Sequence, residues 1–518
     1  MGRSLPKQIL VVAVLAALAA PSSSITRSAI GHTQTHAHVG AITTSDLATA
    51  VASARTQYAS RDVSGRLGAG DVVTYRAGDE RAEEDGQGKA RVFHTGSLGI
   101  EPTLGIDSDG TLFAQGIMRG LTPNASIVLR STDRGRSWKD VSPRLASGDE
   151  WAHSWTQDPY LTVDVDTGRV FTSDLLFPAP GQMFSYSDDR GRSWKTSVVS
   201  VEQTDHQTVF AGPPSAADTT VGYDNVVYNC AANAYATAVG SAATTCIKSL
   251  DGGATWRLTG TPPYLNDPRA GTGTEGVPGT CSGLTGHGFV DRRGTVYLPR
   301  GWCEQPWLAI SEDGGLTWER VQIAENGVAA SDSGPPDNIP QPSHEAAVVA
   351  DRKGNLYYTW IAADLLPYLA VSTDGGQTWS EPIRVSPPGV TQTSLPAIAI
   401  APHAPVGKIA IGYMGSTNAP GPPYRIDEAS YEGATWNAYL TVSVNALTRN
   451  PRFSTSTIND PKHPLVIGKC GTLRCGAQYE FIDVQIGPEG TPWMAVIDGC
   501  CATVGHLIIG RIDGIRLR

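Results

Sequence analysis

The sequence predicts an all-β fold: a β-propeller of four-stranded antiparallel blades, with seven blades favoured and six the alternative. Three observations predict it. One turn motif recurs five times at near-constant spacing, a strand–turn–strand element recurs seven times, and the composition is that of a turn-rich β-protein. Gly supplies 57 and Pro 35 of the 518 residues, charged residues make up 17%, and Trp (12) and Tyr (17) outnumber Phe (9). Length alone would allow several average domains, but a period that runs through most of the chain overrides that prior.

From the N-terminus, residues 1–20 read as a signal peptide. Arg3 and Lys7 precede an apolar run from Ile9 to Ala20, which ends in the small residues Ala17–Ala19 suited to cleavage. The run is too short to span a bilayer comfortably and no other stretch is long enough, so a secreted, extracellular product without a membrane span is expected. The eight cysteines, an even number, suit an oxidising compartment. Residues 21–88 read as a flexible polar leader, with His32, His36 and His38 close together and a charged run from Asp79 to Asp85. Residues 89–518 carry the propeller. The net charge of −10 is spread along the chain without a basic stripe, which excludes a nucleic-acid partner.

The recurring turn reads S-x-D-x-G-x-[ST]-W. Its copies are Ser131–Trp138, Ser187–Trp194, Ser249–Trp256, Ser311–Trp318 and Ser372–Trp379, with starts 56, 62, 62 and 61 residues apart. The pattern has the chemistry of a hairpin turn. Asp133, Asp189, Asp251, Asp313 and Asp374 can accept hydrogen bonds from turn amides, the Gly takes φ > 0, and the Trp packs on the returning strand.

The second element counts the blades. An apolar strand, a Gly-marked turn and another strand begin at Pro102, Tyr160, Thr208, Gly288, Ala346, Leu395 and Phe481. Asp107–Gly110 and Asp164–Gly168 mimic calcium-loop spacing, but their place in the repeat makes them hairpin turns, so neither metal nor cofactor is expected. In the sixth unit an ordinary turn from Ser443 to Asn450 fills the motif position. Gly433–Trp436 imitates the motif but precedes that strand and is set aside. The seventh unit lacks a fourth strand, and Ala90–His94 would close it.

The repeated turn is the Asp box, and the chain resembles the Asp-box (BNR repeat) sialidase-like β-propeller superfamily, of secreted bacterial type. The resemblance covers the repeat region and implies that the five box aspartates are structural and lie away from the catalytic mouth. It implies carbohydrate chemistry, because the family includes exo-sialidases, other glycoside hydrolases, polysaccharide lyases and non-catalytic propellers. A sialidase grips the sugar carboxylate with three arginines and uses a Tyr activated by a Glu, with an Asp as acid/base. The N-terminal Phe-Arg-Ile-Pro signature of the first arginine is absent, and Arg91–His94 does not replace it.

On the face opposite the boxes, the starts of the first strands and the ends of the second strands converge on one mouth. All eight cysteines fall on this face, with expected pairings Cys230–Cys246, Cys281–Cys303, and two crosslinks between Cys470/Cys475 and Cys500/Cys501. The candidate catalytic residues there are Glu101, Asp158, His206, His287, His344 and Glu345; the candidate substrate-binding residues are Arg119, Arg300, Tyr413, Tyr479 and Glu480. His206, His287 and His344 are expected at equivalent places in three successive blades, as acid/base groups. A monomer acting on an extracellular glycan or polysaccharide is expected. Glycoside hydrolysis by paired carboxylates is favoured, with a uronic-acid lyase using His, Tyr and Arg, or a non-catalytic glycan- or protein-binding propeller, as alternatives.

Overall fold

The computed structural model describes residues 69–85, 88–118, 125–144, 156, 158–176, 181–201, 205–232, 244–264, 285–302, 305–328, 346–401, 405–420, 433–466, 481–501 and 504–518. Their regular structure is entirely β. Two short strands come first, β1 (Val73–Arg76) and β2 (Glu83–Glu84). The 18-residue β3 (Lys89–Ile106) follows, then β4 (Leu112–Met118), β5 (Ala125–Ser131) and β6 (Lys139–Asp140). The next three sheets have four strands each: β7 (Pro159–Val163), β8 (Val170–Leu175), β9 (Gln182–Ser187) and β10 (Lys195–Val199); β11 (Asp205–Gly212), β12 (Val226–Ala232), β13 (Thr244–Ser249) and β14 (Arg257–Leu258); and β15 (Phe289–Val290), β16 (Val296–Trp302), β17 (Gln305–Ser311) and β18 (Glu319–Gln322). A fifth set is β19 (Ala347–Ala350), β20 (Leu356–Ile361), β21 (Pro367–Ser372) and β22 (Ile383–Arg384). A sixth is β23 (Gln392–Ile400), β24 (Ile409–Ser416), β25 (Trp436–Ser443) and β26 (Arg452–Thr457), and the chain ends with β27 (Asp483–Ile486), β28 (Pro492–Cys501) and β29 (Val504–Asp513).

Among the described residues every strand ladder is antiparallel, and all but two join strands consecutive in sequence; the two involve the N-terminal region, and one isolated parallel bridge joins His287 to Ala347. The first half of β3 pairs with β29, from Lys89↔Asp513 to Gly99↔Gly505, and so supplies the fourth strand after β27, β28 and β29. The Ala90–His94 segment expected to close the last unit lies within this pairing. Past a register shift between Ile100 and Thr103, the same strand becomes the first strand of the β3–β6 unit. The second exception corrects the leader reading of residues 21–88 over Val73–Glu84, where β1 and β2 form; residues 21–68 lie outside the described residues. β1 pairs with β26, from Val73↔Thr455 to Arg76↔Arg452, and β2 pairs with β1, widening the sixth sheet to six strands. Tyr75 anchors this addition: it is buried, its ring packs on Phe453, and its hydroxyl donates to the Val385 carbonyl of the fifth unit. The signal-peptide reading of residues 1–20 lies outside the described residues.

Inner strands touch in succession: β3 with β7, then β11, β15, β19, β23 and β27, and β27 touches β3 again. Apolar side chains fill the space between neighbouring sheets. Between the last and first units, Phe93, Leu104, Ile106, Leu112, Trp493, Ile497 and Ile509 form one such cluster, and each fully buried side chain of this size contributes about 1.5–3 kcal/mol.

The five boxes share one hydrogen-bond pattern. The Gly N–H donates to the Ser Oγ, as from Gly135 to Ser131 at 2.9 Å, and the Ser Oγ donates to the Asp, as from Ser187 to Asp189 at 2.8 Å. The Asp then accepts the N–H and hydroxyl of the following Ser or Thr, as Asp251 does from Thr255 at 2.8 and 2.6 Å. Gly135, at φ +84°, shows why the motif needs glycine there. Each of the first four boxes also leans on the preceding unit. Arg134 reaches Glu489 of the last unit, Arg190 pairs with Asp107 at 2.7 Å, Gly252 O accepts Arg169 Nη1 at 2.7 Å, and Gly314 O accepts Lys248 Nζ at 2.7 Å.

The hydroxyl and amide of Ser193, followed by Ser187 and Arg192, hold the Asp189 carboxyl at about 2, below the ordinary carboxylate value. A depressed folded-state pKa stabilises the fold above the unfolded value near 4, and that contribution fades as pH falls toward 2. An Asp189→Asn variant is therefore expected to show a flatter decline of Tm between about pH 4 and 2 than the parent chain. Parallel acid-melting curves for the two proteins would contradict the role given to this carboxylate.

Two turns depart from expectation. In the sixth unit Ser443 Oγ donates to Asn445 Oδ1 at 3.2 Å and Arg452 N donates to the same oxygen at 2.9 Å, so the turn keeps a box-like cap with Asn in place of Asp. The set-aside segment Gly433–Trp436 is the tail of a split turn of the same kind. Ser416 Oγ and Thr435 N both reach Asn418 Oδ1, at 3.0 and 2.7 Å, across the long β24–β25 connection.

The expected calcium mimics are hairpin turns. Asp107 Oδ1 accepts the amides of Asp109 and Thr111 at 2.9 and 2.8 Å, and Asp164 accepts Asp166 N, Asn225 Nδ2 and the Tyr223 hydroxyl. Among the described residues no cluster of His, Cys, Asp or Glu could hold a metal ion. No helix among them is long and apolar enough to cross a membrane.

Candidate functional site

The starts of the inner strands are reshaped by β-bulges. Register shifts at Ile100/Thr103, Asp205/Thr208 and Ser394/Ala397 leave Glu101, His206 and Leu395 at φ 54°, 57° and 56°. Such a conformation costs a non-glycine residue on the order of 1–3 kcal/mol and re-aims its side chain. The three bulges thus set Glu101 and His206, two of the candidates, off the normal pleat.

A common marker aligns the strands. The second strand of six units carries an aromatic residue facing the inner strand: Phe113 opposite Gly105, Phe171 opposite Thr162, Tyr228 opposite Phe210, Tyr297 opposite Phe289, Tyr357 opposite Val349 and Trp493 opposite Gln485. Two residues back from each faced position lie Thr103, Tyr160, Thr208, His287, Ala347 and Asp483. Four residues back lie Glu101, Asp158, His206, Thr285 and Phe481. His206 and His287 therefore occupy different tiers, which corrects their expected equivalence; His287 stands where the third unit has Thr208.

Within these tiers the contacts cross between units. Tyr160 Oη is hydrogen-bonded to His287 Nδ1 at 3.1 Å, joining the second and fourth units, and their rings meet edge-on at 5.7 Å. Phe481, from the last unit, stacks on His206 at 4.5 Å and meets Tyr160 at 6.0 Å and His287 at 6.1 Å. His206 Nδ1 donates to the Thr285 carbonyl at 2.9 Å, and its own N–H points to Asp158 Oδ2 at 3.5 Å. Burial raises the Asp483 carboxyl to about 6, against the lowering effect of the nearby His287 and of the Leu104 and Val484 amides.

Arg300 adds a cation beside this group. It is fully buried; Nη1 donates to Thr244 Oγ1 at 2.8 Å, Thr244 is hydrogen-bonded to Thr285, and the guanidinium lies 5.4 Å from the Tyr264 ring centre. Nε and Nη2 have no acceptor among the described residues. Burial lowers its pKa to about 10, so it remains a cation at neutral pH.

The remaining candidates divide. Glu101 and Asp158 are buried at the strand starts. Tyr413 is not at the mouth: β24 runs on to Ser416, and Tyr413 sits mid-strand in the core, stacked on Tyr439 at 5.4 Å with its hydroxyl bonded to Thr441. Its role is packing. Arg119, His344, Glu345, Tyr479, Glu480, Cys281, Cys303, Cys470 and Cys475 lie outside the described residues, as do the side chains of Cys500 and Cys501. The Cys230–Cys246 disulfide is present and joins β12 to β13 at directly opposed positions. Tyr160, Phe481 and Asp483 were missed as site residues. The signal that could have found them is a ring or a carboxylate two or four residues before the position that the second strand's aromatic residue faces.

The BNR/Asp-box repeat family matches at residues 370–381, the fifth box. A search of curated proteins returns no match. Among solved structures, the chain is similar to the Hadza microbial sialidase Hz136 at 17% identity and TM-score 0.39, with 62% of this chain and 64% of that one covered. It is similar to the intramolecular trans-sialidase from Ruminococcus gnavus at 13% identity and TM-score 0.39, with 82% and 96% covered. An α-L-arabinofuranosidase from Fusarium graminearum aligns at 14% identity and TM-score 0.39, with 76% and 98% covered. The chain thus spans just under two thirds of the first of these.

Proposed function

The chain carries BNR/Asp-box repeats on successive four-stranded antiparallel sheets, and on that premise we propose that it is a secreted, seven-bladed propeller that hydrolyses glycosidic bonds of an extracellular glycan. The return of β27 to β3 after six intervening contacts supports the blade number. The observation that carries the activity is the pair of carboxyl groups in unlike surroundings at the starts of the inner strands. Burial raises the Asp483 carboxyl to about 6, whereas Asp158, immediately before β7, faces the His206 backbone N–H. Hydrolysis of a glycosidic bond needs one carboxyl that can hold a proton near neutrality and a second that acts as base or nucleophile.

A second reading, a polysaccharide lyase, is favoured by the Tyr160–His287 hydrogen bond beside the buried Arg300. A tyrosine and histidine sharing a proton can remove one alpha to a carboxylate that a guanidinium neutralises. A panel of neutral and acidic glycans, scored for new reducing ends and for ultraviolet absorbance, separates the readings. Hydrolysis is expected to release reducing ends without absorbance. Products that absorb through a new double bond would transfer the assignment to the lyase, and retention of glycan without release would make the propeller a binding module.

A further inference from the structure

The fourth unit carries a group of hydrogen-bond donors that no described acceptor meets. Arg300 and Trp302 stand two residues apart on β16 and so share one face, and Trp307 on β17 lies directly opposite Arg300. The indoles of Trp302 and Trp307 meet edge-on at 5.3 Å. Tyr264, which follows β14 of the third unit, lies 5.8 Å from the Trp302 ring and 5.4 Å from the Arg300 guanidinium, measured to ring centres. These contacts gather one guanidinium and two indoles between the third and fourth units. Arg300 Nε and Nη2, Trp302 Nε1 and Trp307 Nε1 are all buried, with no hydrogen-bond partner among the described residues. Arginine and tryptophan side chains donate and cannot accept, so the three cannot satisfy one another. The oxygens packed around them already have partners. Thr244 Oγ1 accepts Arg300 Nη1 at 2.8 Å and is bonded to Thr285 Oγ1 at 3.1 Å, the Tyr264 hydroxyl donates to Leu298 O at 2.9 Å, and Trp307 O accepts the Tyr358 hydroxyl at 2.9 Å.

Acceptors and negative charge are both missing. Arg300 is fully buried, stays a cation at neutral pH, and spends its one hydrogen bond on a hydroxyl rather than a carboxylate. An interior charge left in this state is costly. A water molecule would accept two of the N–H groups, but it must place two hydrogens of its own and leaves the charge uncompensated. One anion meets both needs. We propose that Arg300, Trp302 and Trp307 form a binding site for a monatomic anion, a halide such as chloride, between the third and fourth units. The enclosure selects the class. Arg300 and Tyr264 are fully buried and Trp302 is nearly so, which closes the guanidinium to a carboxylate carried on a sugar. A halide has no attached chain, accepts N–H groups from any direction, and carries the single charge that matches the guanidinium. The site goes beyond glycan hydrolysis and bears on the lyase alternative, which needs the same guanidinium for a substrate carboxylate.

The test needs no glycan. Thermal unfolding is followed in halide-free buffer as sodium bromide is added, with ionic strength held constant by sodium methanesulfonate. The Tm of the parent chain is expected to rise with the logarithm of bromide concentration, because a ligand that binds only the folded state stabilises it by mass action. Trp302→Phe and Trp307→Phe keep a ring in place and each delete one donor. Each should weaken bromide binding about tenfold or more, the size of one hydrogen bond to a charged group, and move the rise to higher bromide by the same factor. Arg300→Met should leave Tm independent of bromide. A parent Tm that ignores bromide would overturn the proposal, as would a rise of the same size and position in the parent and in both tryptophan variants. Sodium acetate in place of bromide is the second arm: a larger rise with acetate would assign the donors to a carboxylate and overturn the halide site. Should Arg300→Met fail to fold, the two tryptophan variants decide the matter by the same criterion.

Discussion

Lys248→Met is expected to destabilise the fold by about 3–5 kcal/mol, because it leaves a buried carboxylate without its counter-charge. Lys248 and Asp218 are 3% and 1% exposed and meet at 2.6 Å, and the same ammonium donates to Gly314 O in the fourth box. One side chain thus neutralises an interior charge and fastens a turn of the next unit. Arg257 also approaches Asp218, at 3.4 Å, but its own side chain is 57% exposed and solvent screens it. Arg257→Ala should therefore change stability by less than about 1 kcal/mol. Urea unfolding of both variants decides the matter: equal, small losses would mean that the buried pair contributes no more than a surface one. The double change Lys248→Met with Asp218→Leu should recover much of the loss, since it removes both charges together.

The second large effect concerns activity. On a glycan cleaved by elimination, Tyr160→Phe and His287→Gln are each expected to lower kcat by about 10²–10⁴-fold, the usual range for a positioned proton-transfer group. Tyr160→Phe keeps the ring contacts with Phe481 and His287, so its Tm should move little, whereas His287→Gln gives up its own ring contacts and should lower Tm modestly. His463→Ala is the reference: that imidazole is 68% exposed and pairs only with Asp460 nearby, so activity should stay at the parent level. Full activity in Tyr160→Phe and His287→Gln together would remove the pair from the reaction.

The architecture was legible because its determinants are local. A box writes its hydrogen bonds within eight consecutive residues, and Ser187, Asp189, Gly191 and Ser193 make theirs without help from distant chain. The closing strand was legible by subtraction, since a last unit with three strands needs a fourth. The strap formed by β1 was not, because Val73–Arg76 is four residues long and its apolar residue Tyr75 finds its partners 310 and more positions away. The same limit governs the site. Period-two alternation assumes an unbroken pleat, and the bulges at Glu101 and His206 insert residues that shift the count. His206 and His287 looked equivalent because each stands just before an apolar run, but they lie four and two residues before the positions that Tyr228 and Tyr297 face. Asp483 escaped notice for a different reason: in sequence it is one polar residue between Ile482 and Val484. Its surroundings depend on Leu104, 379 positions earlier. Tyr413 was misplaced because Gly412 and Gly415 lie inside β24, so neither marks the strand end at Ser416.

The double duty of β3 bears on how the chain reaches this state. Arg91 and Asp513, which pair at 2.6 Å across the closing seam, are 422 positions apart. Bringing together ends that far apart costs about 5 kcal/mol of chain entropy, and none of it is recovered until the final hairpin exists. The earlier units can form from neighbouring contacts as the chain emerges, but the edge of β3 must wait unpaired for the last thirty or so residues. Folding should therefore show a slow final phase, and during that wait the exposed edge is the point most open to pairing with another molecule.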